Sequence, residues 1–428
     1  MIPEHDGPGA LVVLANFVSE LAVDLGEEAV LRQWARQAPR KVWLARPGDV
    51  VVLPTPLAEP FLRYALERLG VPDGSVTVVT VPDTPHVPMA EALAVHGLLD
   101  PVRALVAERP DARLLPTALD AATVALAANL GTPLAGYEET GPSDATLAAV
   151  SELNTKSAFR HAAESLGMRL APGRTCDGAQ LPDVLRDMLD VHGRVVLKPD
   201  RSAGGHGLRF LAQGDDLAGQ LPPPDSRWVV ERHIAHGRAV SAQGYVSPKD
   251  EVGVAFDGEM RMVGGSYAGY RSPAGLPALA AAELARWTRA LGRHLAAHGY
   301  RGPYSLDALH TDDGALYALE SNVRRTATST AHALVTRLTA PDGRPPEDRP
   351  APAWSTGTVH VPRPLPFAAA VRGLVDAGLD VRPGGAEGVV LYTDALVDGT
   401  GRRYTALAAD PARLADLEAR LPAALTEA

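Results

Sequence analysis

The chain has 428 residues, of which 46% are apolar and 21% are charged, so it is long enough for about two to four packed domains. Its formal net charge of −10 argues against a general nucleic-acid-binding protein or a membrane-surface protein. The single cysteine, Cys176, excludes an internal disulfide and favours the cytoplasm. We expect neither a signal peptide nor a transmembrane helix, because the sequence contains no suitable long apolar run.

Residues 1–150 alternate between short apolar runs and helical patterns. The runs typical of buried strands are ALVVLAN (10–16), KVWLA (41–45), DVVVLP (49–54) and SVTVVTVP (75–82). EEAVLRQWARQA (27–38) and AEPFLRYALERLG (58–70) are typical of helices, and Gly70 is a helix-ending signal. This alternation predicts an open α/β domain that is built on a mostly parallel sheet.

The remaining chain divides at proline-rich segments. A predicted helix over 151–167 opens an α/β region that we expect to end at residue 225, because LPPPD (221–225) interrupts the pattern. RWVVERHI (227–234) then begins a strand-rich region over 226–340. The stretch 339–354 is rich in proline and charge and predicts a linker over 341–354. Residues 355–428 predict a small α/β module, with strands GVVLYT (388–393) and RYTALAA (403–409) and helix DPARLADLEARL (410–421).

The segment VVLKPDRSAGGHGLRF (195–210) places Lys198 at the end of an apolar run, directly before a glycine-rich loop. A Walker A loop has its lysine after the glycines, at the start of a helix, whereas a second strand pattern follows here. The segment therefore predicts a strand–loop–strand flap whose backbone N–H groups can approach an anion. An ordinary glycine-rich hairpin is the alternative. The loop residues that would face the anion are Ser202, Gly204, Gly205, His206 and Gly207.

The segment YSLDALHTDDGALYALESNVRR (304–325) predicts a hairpin with a two-residue Asp313-Gly314 turn. Counting back from this turn pairs Asp307 with Glu320 and position 305 with Asn322. Side chains alternate along a strand, so these three polar residues share one face. The other face, with Leu306, Tyr317 and Leu319, is predicted to pack into the core.

Two directly opposed carboxylates destabilise a sheet unless a cation lies between them. The set Asp307, Glu320 and Asn322 offers hard oxygen ligands, which favour Mg²⁺ over Zn²⁺. Arg324 continues the polar face and is suited to bind a phosphate or a carboxylate through two hydrogen bonds. An exposed edge hairpin whose acids pair with nearby arginines is the alternative.

Taken in order, these segments resemble the ATP-grasp superfamily over residues 153–338. The resemblance rests on NTK (154–156), VVLKP (195–199), RSAGGHG (201–207), WVVERHI (228–234), SLD (305–307) and LESNVRR (319–325). The regions before and after are similar to those of bacterial peptide ligases of the pheganomycin-biosynthesis type, which carry a pre-ATP-grasp domain. The implied domains are 1–150 (pre-ATP-grasp), 151–225 (central, with the flap), 226–340 (metal and substrate) and 355–428 (C-terminal module).

The resemblance implies roles for individual residues. The implied ATP-binding residues are Lys156, Lys198, Ser202, Gly204, Gly205, His206, Gly207, Glu231, Arg232, His233 and Ile234. The implied ligands of Mg²⁺, with two ions expected, are Asp307, Glu320 and Asn322. Lys198 and Arg324 would act on the transferring phosphate, and Tyr270, Arg271 and Arg325 are candidate substrate contacts. His310, His332 and Cys176 have no implied role.

The implied activity is an ATP-dependent carboxylate–amine ligase that forms an acylphosphate and releases ADP and phosphate. Its expected partners are amino acids or short peptides of bacterial specialised metabolism, and neither a nucleic acid nor a membrane is expected. Dimers are common among such ligases, so a homodimer is one expected assembly. The alternatives are a small-molecule kinase on the same fold, or an ATP-binding regulator, which would be expected to lack the metal ligands.

Overall fold

A computed structural model describes residues 9–19, 21, 28–82, 87–138, 140–202, 204–215, 225–340, 351–382, 385–397 and 399–426. Most of the LPPPD segment (221–224) and most of the predicted linker (341–350) lie outside these ranges. No helix within the described ranges is long and apolar enough to cross a membrane.

The N-terminal region contains a parallel sheet, which confirms the predicted open α/β domain, although the fourth of its strands, Arg113–Pro116, was not among the predicted strands. Its strands are β1 (Leu11–Leu14), β2 (Val50–Leu53), β3 (Thr77–Thr80) and β4 (Arg113–Pro116), in the order β3-β2-β1-β4. The helices are α1 (Glu28–Ala35), α2 (Glu59–Leu69), α3 (Met89–Val95), α4 (Leu99–Ala107) and α5 (Ala121–Leu130). Gly70 ends α2 in the left-handed conformation, as predicted.

The predicted strand KVWLA is wrong, because residues Ala38–Leu44 form a 3₁₀-helix. Pro39 lies in its first turn, where its missing N–H costs no hydrogen bond. All seven side chains are buried, so the helix has no exposed face. A short, fully buried run gives the same apolar pattern in a strand and in a helix, which explains the error.

The central region contains a smaller antiparallel sheet. Its strands are β5 (Gly173–Asp177), β6 (Arg194–Pro199), β7 (Arg209–Ala212) and β8 (Arg227–Arg232), in the order β5-β8-β6-β7. The pairing of β6 with β7 confirms the strand–loop–strand prediction. The expected boundary at residue 225 falls before β8, although β8 hydrogen-bonds with β5 and β6.

Three helices lie in the same stretch of the chain: α6 (Asp144–Leu153), α7 (Lys156–Ser165) and α8 (Leu181–His192), of which α8 packs into the core of the central sheet. The prediction of one helix over 151–167 is wrong, because the chain breaks between α6 and α7. Thr155 caps α7 by accepting a hydrogen bond from the backbone N–H of Ala158 at 3.3 Å. The break places Lys156 in the first turn of α7.

An eight-stranded sheet forms the rest of the molecule. Its strands are β9 (Gly237–Val246), β10 (Val252–Val263), β11 (Ser266–Ser272), β12 (Gly302–Thr311), β13 (Leu316–Asn322), β14 (Ala353–His360), β15 (Gly388–Val397) and β16 (Gly401–Ala408). The order is β13-β12-β9-β10-β11-β14-β16-β15. The accompanying helices are α9 (Ala278–Ala297), α10 (Ala327–Thr339), α11 (Phe367–Asp376) and α12 (Pro411–Thr426).

The C-terminal strands continue this sheet, because β14 pairs with β11 through Tyr270, Arg271 and Ser272. The predicted linker extends too far, since Ala353 and Trp354 are buried in β14.

The N-terminal region also packs against the C-terminal module. In that contact, the indole N–H of Trp43 donates a hydrogen bond to the carbonyl of Tyr392 at 3.0 Å.

Candidate active site

A cavity of about 350 Å³ lies where the three regions meet. Its walls come from α1, the 3₁₀-helix, the start of α7, the end of β6 and the flap that follows it, strands β9 to β13, the start of α10 and strand β16. Most of the predicted phosphate and metal residues line it. Those residues are Lys156, Lys198, Ser202, Gly204, Gly205, His206, Asp307, Glu320, Asn322 and Arg324.

The β12–β13 hairpin places the two carboxylates opposite each other, as predicted, although its turn differs from the predicted one. Asp307 pairs with Glu320, and Ser305 pairs with Asn322. The predicted two-residue turn is wrong, because the backbone N–H of Thr311 bonds to the carbonyl of Ala315, which leaves a turn of three residues. A β-bulge next to Asp307 then offsets the longer turn and restores the predicted pairing.

The bulge also changes the position of Leu319. This side chain was predicted to face the core, whereas it lines the cavity beside Glu320. An extra residue in one strand interrupts the alternation of side chains, so two consecutive residues can reach the same face. The acidic pair therefore has an apolar neighbour in the cavity wall.

Asp307 is buried and well ordered by hydrogen bonds. The hydroxyl of Ser241 donates to its Oδ1 at 2.7 Å, and the amide of Asn322 donates to its Oδ2 at 3.1 Å. Burial, followed by the nearby charge of Glu320, raises the pKa of Asp307 to about 7. Glu320 has a cationic neighbour, because its Oε2 lies 3.3 Å from Nζ of Lys156.

The donor set fits Mg²⁺. Among the described residues, no cluster of three His, Cys, Asp or Glu side chains could hold a metal ion. Mg²⁺ does not need such a cluster, because it is commonly held by one or two carboxylates together with substrate phosphates and water. Asp307 and Glu320 supply two carboxylates on one face, and Asn322 adds an amide oxygen beside them.

A buried ion network holds Lys198. Its Nζ lies 2.5 Å from Oε2 of Glu231, and Arg160 pairs with the other oxygen of the same carboxylate. Arg160 also donates a hydrogen bond to the carbonyl of Ala171 at 3.2 Å. Arg160 was not among the site residues predicted from the sequence. Its one signal is its position four residues after Lys156, which places both side chains on the same face of α7.

Two of the implied ATP-binding residues, Arg232 and His233, form backbone hydrogen bonds with neighbouring segments of the central region. The backbone N–H of Arg232 donates to the carbonyl of Pro172 at 2.8 Å, and that of His233 donates to Arg194 at 3.0 Å. Arg232, His233 and Ile234 are not part of the cavity lining described above. The structure thus places Glu231 in the ion network and the three following residues outside this cavity.

The flap lies against the turn between β10 and β11. The backbone N–H of Tyr267 donates to the carbonyl of Gly204 at 3.2 Å, and the hydroxyl of Ser202 accepts a hydrogen bond from Lys156 at 3.0 Å. Gly205 has a φ of +82°, and a Cβ atom there would lie 2.2 Å from the carbonyl oxygen of Gly265. Only glycine fits this position without displacing the flap.

Of the remaining flap residues, His206 lines the cavity and Gly207 packs against strand β6. The ring of His206 meets that of Trp34 in α1 edge-on, with the centroids 6.4 Å apart. Gly207 lies outside the cavity lining and packs on Pro199, whose Cγ would lie 2.7 Å from an added Cβ. The flap therefore contacts both the N-terminal region and the large sheet.

Arg324 is buried at the edge of the acidic pair. Its Nη1 donates to Oδ1 of Asn154 at 3.0 Å, and its guanidinium lies 5.4 Å from the ring centroid of Phe17. Its Nε is buried and has no hydrogen-bond partner among the described residues. Burial lowers the pKa of Arg324 to about 10. This guanidinium is therefore placed to bind an anion in the cavity.

Of the three candidate substrate residues, one lines the cavity and two do not. Tyr270 lines the cavity, but its hydroxyl is already used as a donor to the carbonyl of Ser241 at 3.0 Å. Arg271 pairs with Glu418 at 2.9 Å, outside the cavity lining. Arg325 also lies outside this lining, and its backbone N–H donates to the carbonyl of Thr117 at 2.9 Å.

Sequence patterns gave no signal for several cavity residues from distant segments. These residues include Phe17, Trp34, Arg40, Tyr267, Thr328 and Arg403. They come from regions that no short motif connects, so only the folded chain brings them together. Of the unassigned histidines, His332 stacks on Phe256 with centroids 4.2 Å apart, and burial lowers its pKa to about 3.

Comparisons with known proteins support this architecture. Residues 38–132 match the family described as the pre-ATP-grasp domain, and residues 369–421 match the family described as the PGM1 C-terminal domain. A search of curated proteins found no significant match. Neither family match extends over half of the chain.

Several solved structures share the fold over nearly the whole chain. N5-carboxyaminoimidazole synthetase from Staphylococcus aureus, in complex with ADP, is 12% identical with a TM-score of 0.57, covering 98% of this chain and 99% of that one. Carboxyaminoimidazole ribonucleotide synthase from Aspergillus clavatus, in complex with ATP, is 13% identical with a TM-score of 0.55, covering 97% and 98%. Biotin carboxylase from Campylobacter jejuni is 14% identical with a TM-score of 0.58, covering 95% and 89%.

At these identities the structural likeness establishes the fold. The fold predicted from the sequence is confirmed by the mixed α/β architecture, the solved neighbours and the N-terminal family match. The chain therefore has the ATP-grasp fold, with a domain in front of it that matches the pre-ATP-grasp family.

Proposed function

We propose that the protein is an ATP- and Mg²⁺-dependent carboxylate–amine ligase that forms an amide bond through an acylphosphate. One observation carries this proposal: a single cavity holds the opposed carboxylates Asp307 and Glu320, the cations Lys156 and Lys198, and the glycine flap. Acids that hold a metal and cations that neutralise phosphates are what phosphoryl transfer from ATP requires.

The reaction has two steps. A carboxylate oxygen of the donor attacks the γ-phosphorus of ATP, and the bond to ADP breaks. The amine of the acceptor then attacks the acyl carbon, phosphate leaves with the electron pair of the C–O bond, and the amine loses a proton. The first step converts a poor leaving group into a good one, so the enzyme acts mainly through positioning and charge neutralisation.

Each residue has a defined part in these steps. Lys156 and Lys198 offset the charge of the triphosphate, and Ser202 and the flap N–H groups bind its oxygens. Asp307, Glu320 and Asn322 hold Mg²⁺, which supplies further neutralisation of the phosphate oxygens when bound. Arg324 contacts the phosphoryl group that passes to the donor. The flap covers the acylphosphate and excludes water.

The substrates that we propose are amino acids or short peptides of bacterial specialised metabolism. Two observations support this: the resemblance to pheganomycin-type peptide ligases, and the match of residues 369–421 to the PGM1 C-terminal domain. The proposed division is a pre-ATP-grasp domain, two ATP-grasp subdomains and a C-terminal module, with β8 assigned to the central subdomain. A cytoplasmic location and a homodimer complete the proposal.

A kinase on the same fold is less well supported. A kinase would need a base for the attacking hydroxyl in addition to the metal ligands. Among the described residues that line the cavity, the acids are Asp307 and Glu320 alone. Both are assigned to the metal. Their retention, together with Asn322, also argues against a regulator without catalytic activity.

Hydroxylamine trapping tests the proposed activity. The protein is incubated with ATP, Mg²⁺, hydroxylamine and pools of free and N-acetylated amino acids and dipeptides. We expect ADP, phosphate and a hydroxamate to form together, and to fall at least about 100-fold in Glu320→Gln. Asp312→Asn, in the exposed turn of the same hairpin, is the matched control and should keep the activity. AMP with pyrophosphate, or a stable phosphorylated product, would contradict the proposal.

A further inference from the structure

The cavity contains a second cationic cluster that the proposed chemistry does not use. Arg40, from the 3₁₀-helix, and Arg403, from β16, both line the cavity. Both guanidinium groups act electrostatically on the phenol of Tyr267 in β11, a residue that also lines the cavity. The cluster thus combines residues from the N-terminal region and from the C-terminal module.

Arg40 is buried, and no carboxylate forms an ion pair with it among the described residues. Its side chain is 7% exposed, and its one side-chain hydrogen bond among the described residues goes from Nη1 to Gln37 at 3.0 Å. Its Nε is buried and has no partner within the same described part of the chain. A buried arginine is normally paired, because an unpaired charge is costly to remove from water.

Arg68 provides a contrast within the same molecule. It is also 7% exposed, but it pairs with Asp380 at 2.6 Å and lies over the ring of Tyr64. Arg68 is therefore paired with an acid, whereas Arg40 keeps a hydrogen-bond donor without a partner among the residues that the structure describes. A donor that is buried, unsatisfied and part of a cavity wall indicates a ligand.

The first turn of α10 lies in the same cavity. Thr326 caps this 13-residue helix, and Ala327 and Thr328 line the cavity. The first backbone N–H groups of a helix have no partner within the helix, and the helix dipole favours an anion there. Two guanidinium groups and a helix N-terminus in one cavity together favour a carboxylate.

We propose that Arg40, Arg403 and the first turn of α10 bind the unreacted carboxylate of the amine-bearing substrate. This inference rests on the proposed ligase function. The triphosphate and the reacting carboxylate require the acidic pair, the lysines and Arg324, so the second cluster serves a different anion. The acceptor is then an amino acid or peptide that reacts at its amine while its own carboxylate is held.

The test compares free amino acids with their amides as acceptors. The donor is the acid that forms the hydroxamate. For the wild-type protein we expect kcat/KM to be about 100-fold higher for the free acid than for the amide, because a charged partner is lost. In Arg40→Gln this ratio should fall to nearly one, while hydroxamate formation should change less than about threefold. Arg403→Gln should act in the same direction.

Arg68→Gln is the matched control, because it changes an equally buried arginine away from the cavity. It should leave the acceptor preference unchanged. Equal use of acids and amides by the wild-type protein would overturn the inference. An equal loss of hydroxamate formation and coupling in Arg40→Gln would also overturn it, because the cluster would then serve ATP or the donor. A wild-type protein that forms no hydroxamate contradicts the ligase proposal itself.

A second measurement does not depend on catalysis. Thermal unfolding is followed with each free amino acid and its amide as probes, in the presence of ATP and Mg²⁺. Free acids should raise the Tm more than amides do, and Arg40→Gln should abolish this difference. Without ligand, Arg40→Gln should unfold at or above the wild-type Tm, whereas Arg68→Gln should unfold lower. Equal destabilisation by both substitutions, or the absence of any preference for free acids, would overturn the proposed carboxylate site.

Discussion

Glu231→Gln perturbs the buried network that holds Lys198. The substitution keeps the size of the side chain but removes the negative charge that Lys198 and Arg160 share. All three side chains are less than 10% exposed, so water cannot replace the lost charge. Breaking a buried ion pair by removing one partner costs about 3–5 kcal/mol. We expect a loss of this size in the free energy of unfolding of the central region.

The assay combines urea titration with hydrogen exchange of peptides from β6 and β8. These strands carry Lys198 and Glu231, so their exchange should speed up more than that of the large sheet. Glu67→Gln is the control, because Glu67 pairs with Arg68 at 2.9 Å but is 66% exposed. An exposed pair contributes at most about 1 kcal/mol.

The double variant Lys198→Met, Glu231→Gln separates charge from packing. It removes one of the two stranded cations, so it should be less destabilised than the sum of its single variants. A free energy of unfolding for Glu231→Gln within about 1 kcal/mol of the wild-type value would show that the buried charge of Glu231 does not stabilise the central region. Additive effects in the double variant would show that the charges of Lys198 and Glu231 are not coupled.

Three further predictions concern the flap, the acidic pair and the C-terminal module. Gly205→Ala should raise the KM for ATP at least about tenfold, because its Cβ would meet Gly265, whereas Gly204→Ala, with φ +62° and open space, should have a smaller effect. Asp307→Asn should raise the Tm in EDTA more at pH 8 than at pH 5, because the raised pKa of Asp307 makes ionisation costly as the pH rises toward 7. Burial opposes the ionisation of Glu418, but hydrogen bonds from Arg261 and other donors lower its pKa to about 2. The free energy of unfolding that the ionised carboxylate contributes is therefore fully present above pH 4.5 and should be lost as the pH falls toward 2. This loss should be smaller in Glu418→Gln.

For each of these three variants, one result would contradict the proposed cause. Equal KM values for the two flap variants would show that the contact with Gly265 does not position the flap. A Tm difference for Asp307→Asn that is the same at pH 5 and pH 8 would contradict the effect of ionisation. If the stability of the wild-type protein and that of Glu418→Gln fell equally between pH 4.5 and pH 2, protonation of Glu418 would not be the cause of the acid destabilisation.

The sequence predicts those parts of the fold that local patterns encode. The apolar runs of β1, β2 and β3 and the glycine after α2 have a direct local cause, and the structure confirms them. KVWLA failed because a fully buried run carries no periodicity that separates a strand from a helix. The Asp307–Glu320 pairing is correct although the turn was wrong, because a bulge offsets the extra turn residue.

The residues of the candidate site also fall into those that local sequence patterns reveal and those that they do not. Residues within motifs, such as Lys198 and Asp307, could be found because the strand and loop that carry them are contiguous in sequence. Arg40 and Arg403 could not, because they lie more than 350 positions apart in the chain and meet only through the packing of distant regions. Arg160 is recognisable only once Glu231 is seen beside it.

The transfer of a carboxylate oxygen from the donor to phosphate tests whether the protein activates the donor as an acylphosphate. The acid identified by hydroxylamine trapping is labelled with heavy oxygen in its carboxylate and coupled to its amine by the wild-type protein. An acylphosphate passes one carboxylate oxygen to the released phosphate, so we expect one labelled oxygen in each phosphate and none in ADP. Phosphate that carries no label would contradict activation by phosphorylation, and label in AMP would indicate adenylation instead.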